Sequence, residues 1–93
     1  MREGDSDVDL GSAVAAVRAR LEPSHPARDA LRSTAEAIDN AEPELAVDDL
    51  CRIIRFFGVR ITPAEHEALR AAAAELSMAD LLEDADLGPF VGL

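Results

Sequence analysis

The sequence predicts an all-α protein: a compact bundle of four main helices followed by a short C-terminal helical segment. Three observations carry that prediction. Apolar residues recur at helical spacing, most densely at Leu50, Ile53, Ile54 and Phe57, which fall at i, i+3, i+4 and i+7. Helix punctuation stands where the stripes end and restart. Gly58 can take the left-handed conformation that closes a helix, and Thr62-Pro63-Ala64-Glu65 reads as a capping box with proline at the first helical position. The signals of strands, β-branched runs and Asn-Gly or Asp-Gly turns, are missing.

A chain of 93 residues makes one domain with a modest stability margin. Its core must be aliphatic, because there are three Phe, no Trp and no Tyr. Abundant Ala suits helices that approach each other closely. Residues 8–93 are assigned to a single helical domain. Residues 1–7, short, polar and charged, are expected to be disordered.

The first helix is expected from about Val8 to Leu21, on the stripe Leu10, Val14, Val17 and Leu21. Asp7 and Asp9 suit its positive end, and Arg18 and Arg20 its negative one. Pro23 and Pro26 break the chain, with His25 between them as a turn residue. A second helix follows from Ala27 to Asp39, with Ala27, Ala30, Leu31, Thr34, Ala35 and Ile38 inward. Asn40-Ala41-Glu42-Pro43 restarts the chain, with Pro43 at or near the start of the third helix, and Glu42 and Glu44 at its positive end. In that helix Asp48, Asp49, Arg52 and Arg55 point away from the apolar stripe. Val59 to Ile61 is a short extended link, and Ala64 to Leu76 the fourth helix. Ser77 is expected to cap a last segment from Met78 to about Ala85, with Leu81 and Leu82 inward and Gly88-Pro89 ending it. The apolar tail from Phe90 to Leu93 is expected to pack back over the bundle.

Composition narrows the function. Nineteen acidic residues against nine Arg and no Lys leave a net charge of −10. Such a surface repels nucleic acid, which is bound through basic patches, and disfavours anionic membranes. It attracts a basic partner and speeds the encounter. A lone Cys51 allows no internal disulfide and fits a reducing compartment. Mid-helix, beside Leu50, it reads as a small buried filler rather than a reactive thiol. No stretch has the length of a membrane span, and the N-terminus lacks the pattern of a secretory signal, so a cytoplasmic location is expected.

No catalytic, metal or cofactor site is expected. Asp5-x-Asp7-x-Asp9 is similar to the start of a calcium loop, but Leu10 and Ala16 stand where the loop needs Gly and Glu. Gly4-Asp5-Ser6 stands at the start of the chain and not after a long first helix, so it is no carrier attachment site. His25 and His66 lie on different elements, and Glu65 and Glu67 do not share a helix face with His66. There is no His/Cys cluster with metal spacing and no glycine-rich phosphate loop. The reading is therefore an interaction protein and not an enzyme. Its carboxylates form two clusters: Glu36, Asp39, Glu42, Glu44, Asp48 and Asp49 around the second turn, and Glu75, Asp80, Glu83, Asp84 and Asp86 in the C-terminal part. Arg52, Arg55 and Arg60 gather near the hairpin.

The stretch AEPELAVDDLCRIIRFFGVRITPAEHEALRAAAAEL resembles the MafI family of bacterial immunity proteins. The shared pattern is a helix with a Leu-Cys pair and an apolar stripe, a short extended link, a Thr/Ser-x-x-Glu start and a closing Ala/Leu-rich helix. Here these are Leu45, Leu50-Cys51 and Ile54, then Val59-Arg60-Ile61, Thr62 and Glu65, and finally Leu69 and Leu76. Arg52, Arg55 and the lack of Tyr depart from the pattern.

The resemblance implies a small helical antitoxin that binds a cognate toxin domain, often a nuclease, and occludes its active site or substrate groove. Under it, Glu42, Glu44, Asp48 and Asp49 are the first candidates for partner contact, and Asp80, Glu83, Asp84 and Asp86 the second. Two other classes stay open: a helical adaptor or regulator that binds through its apolar tail, and an acidic mimic of nucleic acid.

Overall fold

The computed structural model describes residues 9–92. Helices α1 (Leu10–Arg20), α2 (Pro26–Asp39), α3 (Pro43–Phe57), α4 (Pro63–Glu75) and α5 (Ala79–Ala85) follow in order, and Gly88–Phe90 forms a closing 3-10 turn. The fold is the all-α bundle that the apolar periodicity predicts. The expected disorder of residues 1–7, and Val8 as the start of the first helix, lie outside the described residues.

The starts of the first four helices each have a local cause. Asp9 caps α1 by accepting the Ser12 amide at 2.7 Å. Proline opens α2, α3 and α4, where its fixed φ fits and its missing N–H leaves nothing unpaired. His25 is more than a turn residue: its Nδ1 accepts the Ala27 amide at 3.1 Å and caps α2, which starts at Pro26. At α4 the capping box is complete, with Thr62 Oγ1 accepting from the Glu65 amide at 3.0 Å and Glu65 Oε1 from the Thr62 amide at 2.9 Å.

The ends of three helices share one closure. The amide five residues on returns to the carbonyl in the last turn: Glu42 to Ala37 at 2.8 Å, Val59 to Ile54 at 3.0 Å and Met78 to Ala73 at 2.7 Å. This closure puts the residue before the donor in the left-handed region, at φ 59° for Ala41, 67° for Gly58 and 60° for Ser77. Only the middle one is glycine. Ser77 is therefore the terminator of α4 and not the cap of α5. Met78 stands at the α5 cap position without a side-chain bond. α5 ends at Ala85 as expected, but Asp86, at φ 50°, stops it, and Gly88-Pro89 belongs to the closing turn.

Packing places α3 at the centre. It lies most extensively against α2 and also meets α4 and α5, while α1 packs on α2 and α4. Ala46, Val47, Leu50, Cys51, Ile53 and Ile54 of α3 are buried. Around them Val14, Val17, Leu31, Ile61, Leu69 and Leu82 complete the core. Ala27, Ala46 and Ala73 are wholly buried, so small side chains set the helix spacing. Each buried Val, Leu or Ile contributes about 1.5–3 kcal/mol relative to exposure, which makes the aliphatic core the main stabilising term.

The tail folds back as expected. Ile61 donates to the Phe90 carbonyl at 2.9 Å and accepts from the Gly92 amide at 3.0 Å, a parallel bridge between the α3–α4 link and Val91. Leu93 lies outside the described residues. Arg55 reinforces this end by donating to the carbonyls of Ala85 and Asp86, the negative end of α5, which has no basic residue of its own.

Candidate partner-binding face

The outer arc of α3 is built by subtraction. At 3.6 residues per turn, Ala46, Val47, Leu50, Ile53 and Ile54 occupy the inward arc, leaving Leu45, Asp49, Arg52 and Phe56 on one outward stripe. Leu45 is 48% exposed and Phe56 82% exposed. They are the only exposed large hydrophobic side chains among the described residues. Three turns separate them, about 17 Å along the axis. Large apolar side chains exposed singly are ordinary on a protein surface, and contact anchors are more often aromatic than aliphatic.

One of the two, Phe56, meets a neighbouring ring. The Phe56 ring meets Phe57 edge to face, with centroids 4.8 Å apart and planes at 85°. Phe57 in turn meets the His25 ring at 6.3 Å and 66°. Between the two anchors Asp48 pairs with Arg52 at 3.0 Å, one turn apart. The face therefore offers an aromatic and a leucine at its ends and a mixed, charged middle. Beneath it, burial and then the Asp48 carboxylate push the Cys51 thiol up to about 11. The thiol is buried and packs as an apolar filler.

The predicted acidic residues divide. Glu42 and Glu44 are exposed at the first turn of α3, where the helix end is positive, and Glu42 makes no side-chain cap bond. Asp48 and Asp49 are half-buried one turn further on. These four flank the Leu45 end of the stripe. Asp80, Glu83 and Asp84 are exposed on α5, with Asp86 just after it. Arg55 holds the Asp86 end against the last turn of α3, so the second cluster meets α3 at the end opposite Glu42 and Glu44. The fold does not bring the two clusters together.

Sequence reasoning missed that Leu45 and Phe56 are exposed. The signal was available: both fall outside the arc defined by Leu50 and Ile54, in register with Asp49 and Arg52. It missed a second pairing as well. Arg20 at the end of α1 reaches Glu65, with Nη1 to Oε2 at 2.5 Å and Nη2 to Oε1 at 2.6 Å. The capping-box carboxylate is thus also half of an ion pair that ties α1 to α4.

Among the described residues no group of three or more His, Cys, Asp or Glu side chains is placed to hold a metal ion. No described helix is long and apolar enough to cross a membrane. Fold and face define a small all-α bundle with one mixed apolar and acidic helix face turned to solvent. Comparison with models of protein families, with curated proteins and with solved structures finds no match for the chain.

Proposed function

We propose that the protein is an immunity protein of a bacterial toxin system, which binds a basic, nuclease-like toxin domain and occludes its active site or substrate groove. The observation that carries this reading is the α3 stripe, where the two exposed large hydrophobic side chains stand in line with Asp49 and Arg52. The stripe itself carries one charge of each sign, but with Glu42, Glu44 and Asp48 beside its Leu45 end the face suits a partner with apolar pockets and basic charge. The face of a nuclease that holds phosphate has such charge. The net charge of −10 speeds the encounter, and Phe56 and Leu45 supply the anchors that hold it. The likeness of residues 41–76 to the MafI family supports the same reading. No residue is assigned a catalytic role.

The adaptor alternative drew on a free apolar tail. Phe90 and Gly92 are engaged by Ile61, which leaves that reading with less support.

The test is co-expression with the product of the adjacent upstream gene, scored by cell survival and by pull-down. Rescue from a toxic partner with a stable complex, lost in Phe56→Ala with Leu45→Ala, is the expected result. A non-toxic neighbour that forms no complex overturns the proposal.

A further inference from the structure

On the side of α3 away from the exposed stripe, the start of α1, the turn between α2 and α3, and the second half of α4 leave an open groove of about 540 Å³. Leu10, Ile38, Pro43, Ala72 and Leu76 form its floor, and these residues are half-buried, so the bundle leaves them incompletely covered. Ala68 and Ala71 keep the α4 wall low. Among the described residues only two charged ones line it, Asp9 and Glu75, and both are acidic. The hydrogen bond from the Ser12 amide holds the Asp9 carboxyl below its ordinary range. Exposed Asp39 follows the floor residue Ile38, and exposed Glu42 precedes the floor residue Pro43.

We propose that this groove receives a basic amphipathic segment of the partner protein, its apolar side on the alanine wall and its cations on the Asp9 and Glu75 rim. The proposal rests on the basic partner inferred above and adds a second point of attachment. Charge selects this occupant over two others. The chain's own residues 1–8 carry Glu3, Asp5 and Asp7 against Arg2, the wrong sign for an acidic rim. A second copy of a chain with net charge −10 meets the same repulsion. An amphipathic helix laid in an apolar groove is a common mode of recognition, and small wall residues let its backbone come close.

The full chain, labelled with nitrogen-15, is titrated at physiological salt with a synthetic Leu/Lys amphipathic helical peptide and with its Leu/Gln counterpart. Expected are amide shifts centred on Leu10, Ile38, Ala72 and Leu76, and weaker binding of the uncharged peptide. Ala71→Arg, a cation on the exposed wall, should weaken the Leu/Lys peptide roughly tenfold. Ala74→Arg, the same change on another side of α4, should alter it less than about twofold. Both positions are exposed, and thermal melts of the two variants check that they fold.

Shifts confined to the outer face of α3 or to α5 overturn the proposal, as does equal binding of the two peptides. Contacts from residues 1–8 to the groove in the free chain overturn it in favour of self-docking. A dimer abolished by Ala71→Arg overturns it in favour of a second copy. Toxin rescue separates the two proposals: rescue that survives Ala71→Arg removes the groove and leaves the immunity reading. A neighbour without toxicity removes the immunity reading, while the peptide titration still decides the groove.

Discussion

Glu65 carries two duties on one carboxylate. It is 6% exposed, accepts the Thr62 amide to close the capping box, and pairs in two places with Arg20. Burial alone raises its pKa, but the hydrogen bonds from Arg20 and Thr62 outweigh that and hold it below its ordinary value of 4.5. The lowered folded value fixes the sign. The stabilisation is fully present above about pH 4.5, the unfolded value, and disappears as pH falls through the folded one. Glu65→Gln keeps an acceptor for the cap and removes the charge. It should cost about 1–2 kcal/mol at pH 7, less than a fully buried pair, because the Arg20 side chain is 35% exposed. Urea melts across pH should show the difference from the native chain shrinking below pH 4.5; a difference that stays constant contradicts the ion pair as its source. Cys51 supports a simpler test. With its thiol pushed up to about 11, it should resist iodoacetamide at pH 8 and react only at the rate of global unfolding. Rapid labelling of the native chain would contradict its place in the core.

At the scale of the element, three helices end in one closure with three different residues in the left-handed position. Gly58 holds it without strain, whereas Ala41 and Ser77 hold it against the clash of their Cβ atoms. Ala41→Gly and Ser77→Gly should each stabilise the fold by about 0.5–1 kcal/mol, the left-handed cost less the added freedom of the unfolded chain. Gly58→Ala should destabilise by about 1 kcal/mol, although nothing lies within 4 Å of an added Cβ. Denaturant midpoints of the three variants check the set, and equal signs at Gly58 and Ser77 would contradict it. The same comparison explains what was legible in the chain. Gly58 and Thr62 announce their roles through intrinsic preference, so the hairpin could be read directly. Ser77 and Asp86 have side chains that favour caps, but tertiary context puts their backbones where glycine belongs, so the start of α5 was misread at Ser77, while its last residue, Ala85, was as expected and only its stop was misassigned to Gly88-Pro89. His25 did not show as a cap because imidazole is uncommon there. The tail's pairing with Ile61 and the Arg20–Glu65 contact join residues distant in sequence, which no local period encodes. The acidic clusters were visible as counts of charge, but the stripe from Leu45 to Phe56 emerges only when the buried arc of α3 is subtracted.

Over the whole molecule, charge and anchors separate by range, and kinetics can tell them apart. The net charge of −10 acts over about 8 Å of screening length at physiological salt, so it works before contact. Phe56, 82% exposed, acts only after water has been expelled. Reversing Asp48 and Asp49 together to Lys should therefore slow association with the partner and flatten its dependence on salt. Part of that effect is local, because Asp48→Lys sets a second cation beside Arg52, its former partner at 3.0 Å. Asp49→Lys alone, which leaves that pair intact, isolates the steering. Phe56→Ala should leave association and stability nearly unchanged and raise the dissociation rate about tenfold or more. Stopped-flow association over a salt series, with surface-bound dissociation for each variant, measures both. On-rates unchanged by the reversal would remove Asp48 and Asp49 from the encounter, and a Phe56→Ala complex that dissociates at the native rate would remove the α3 stripe from the interface.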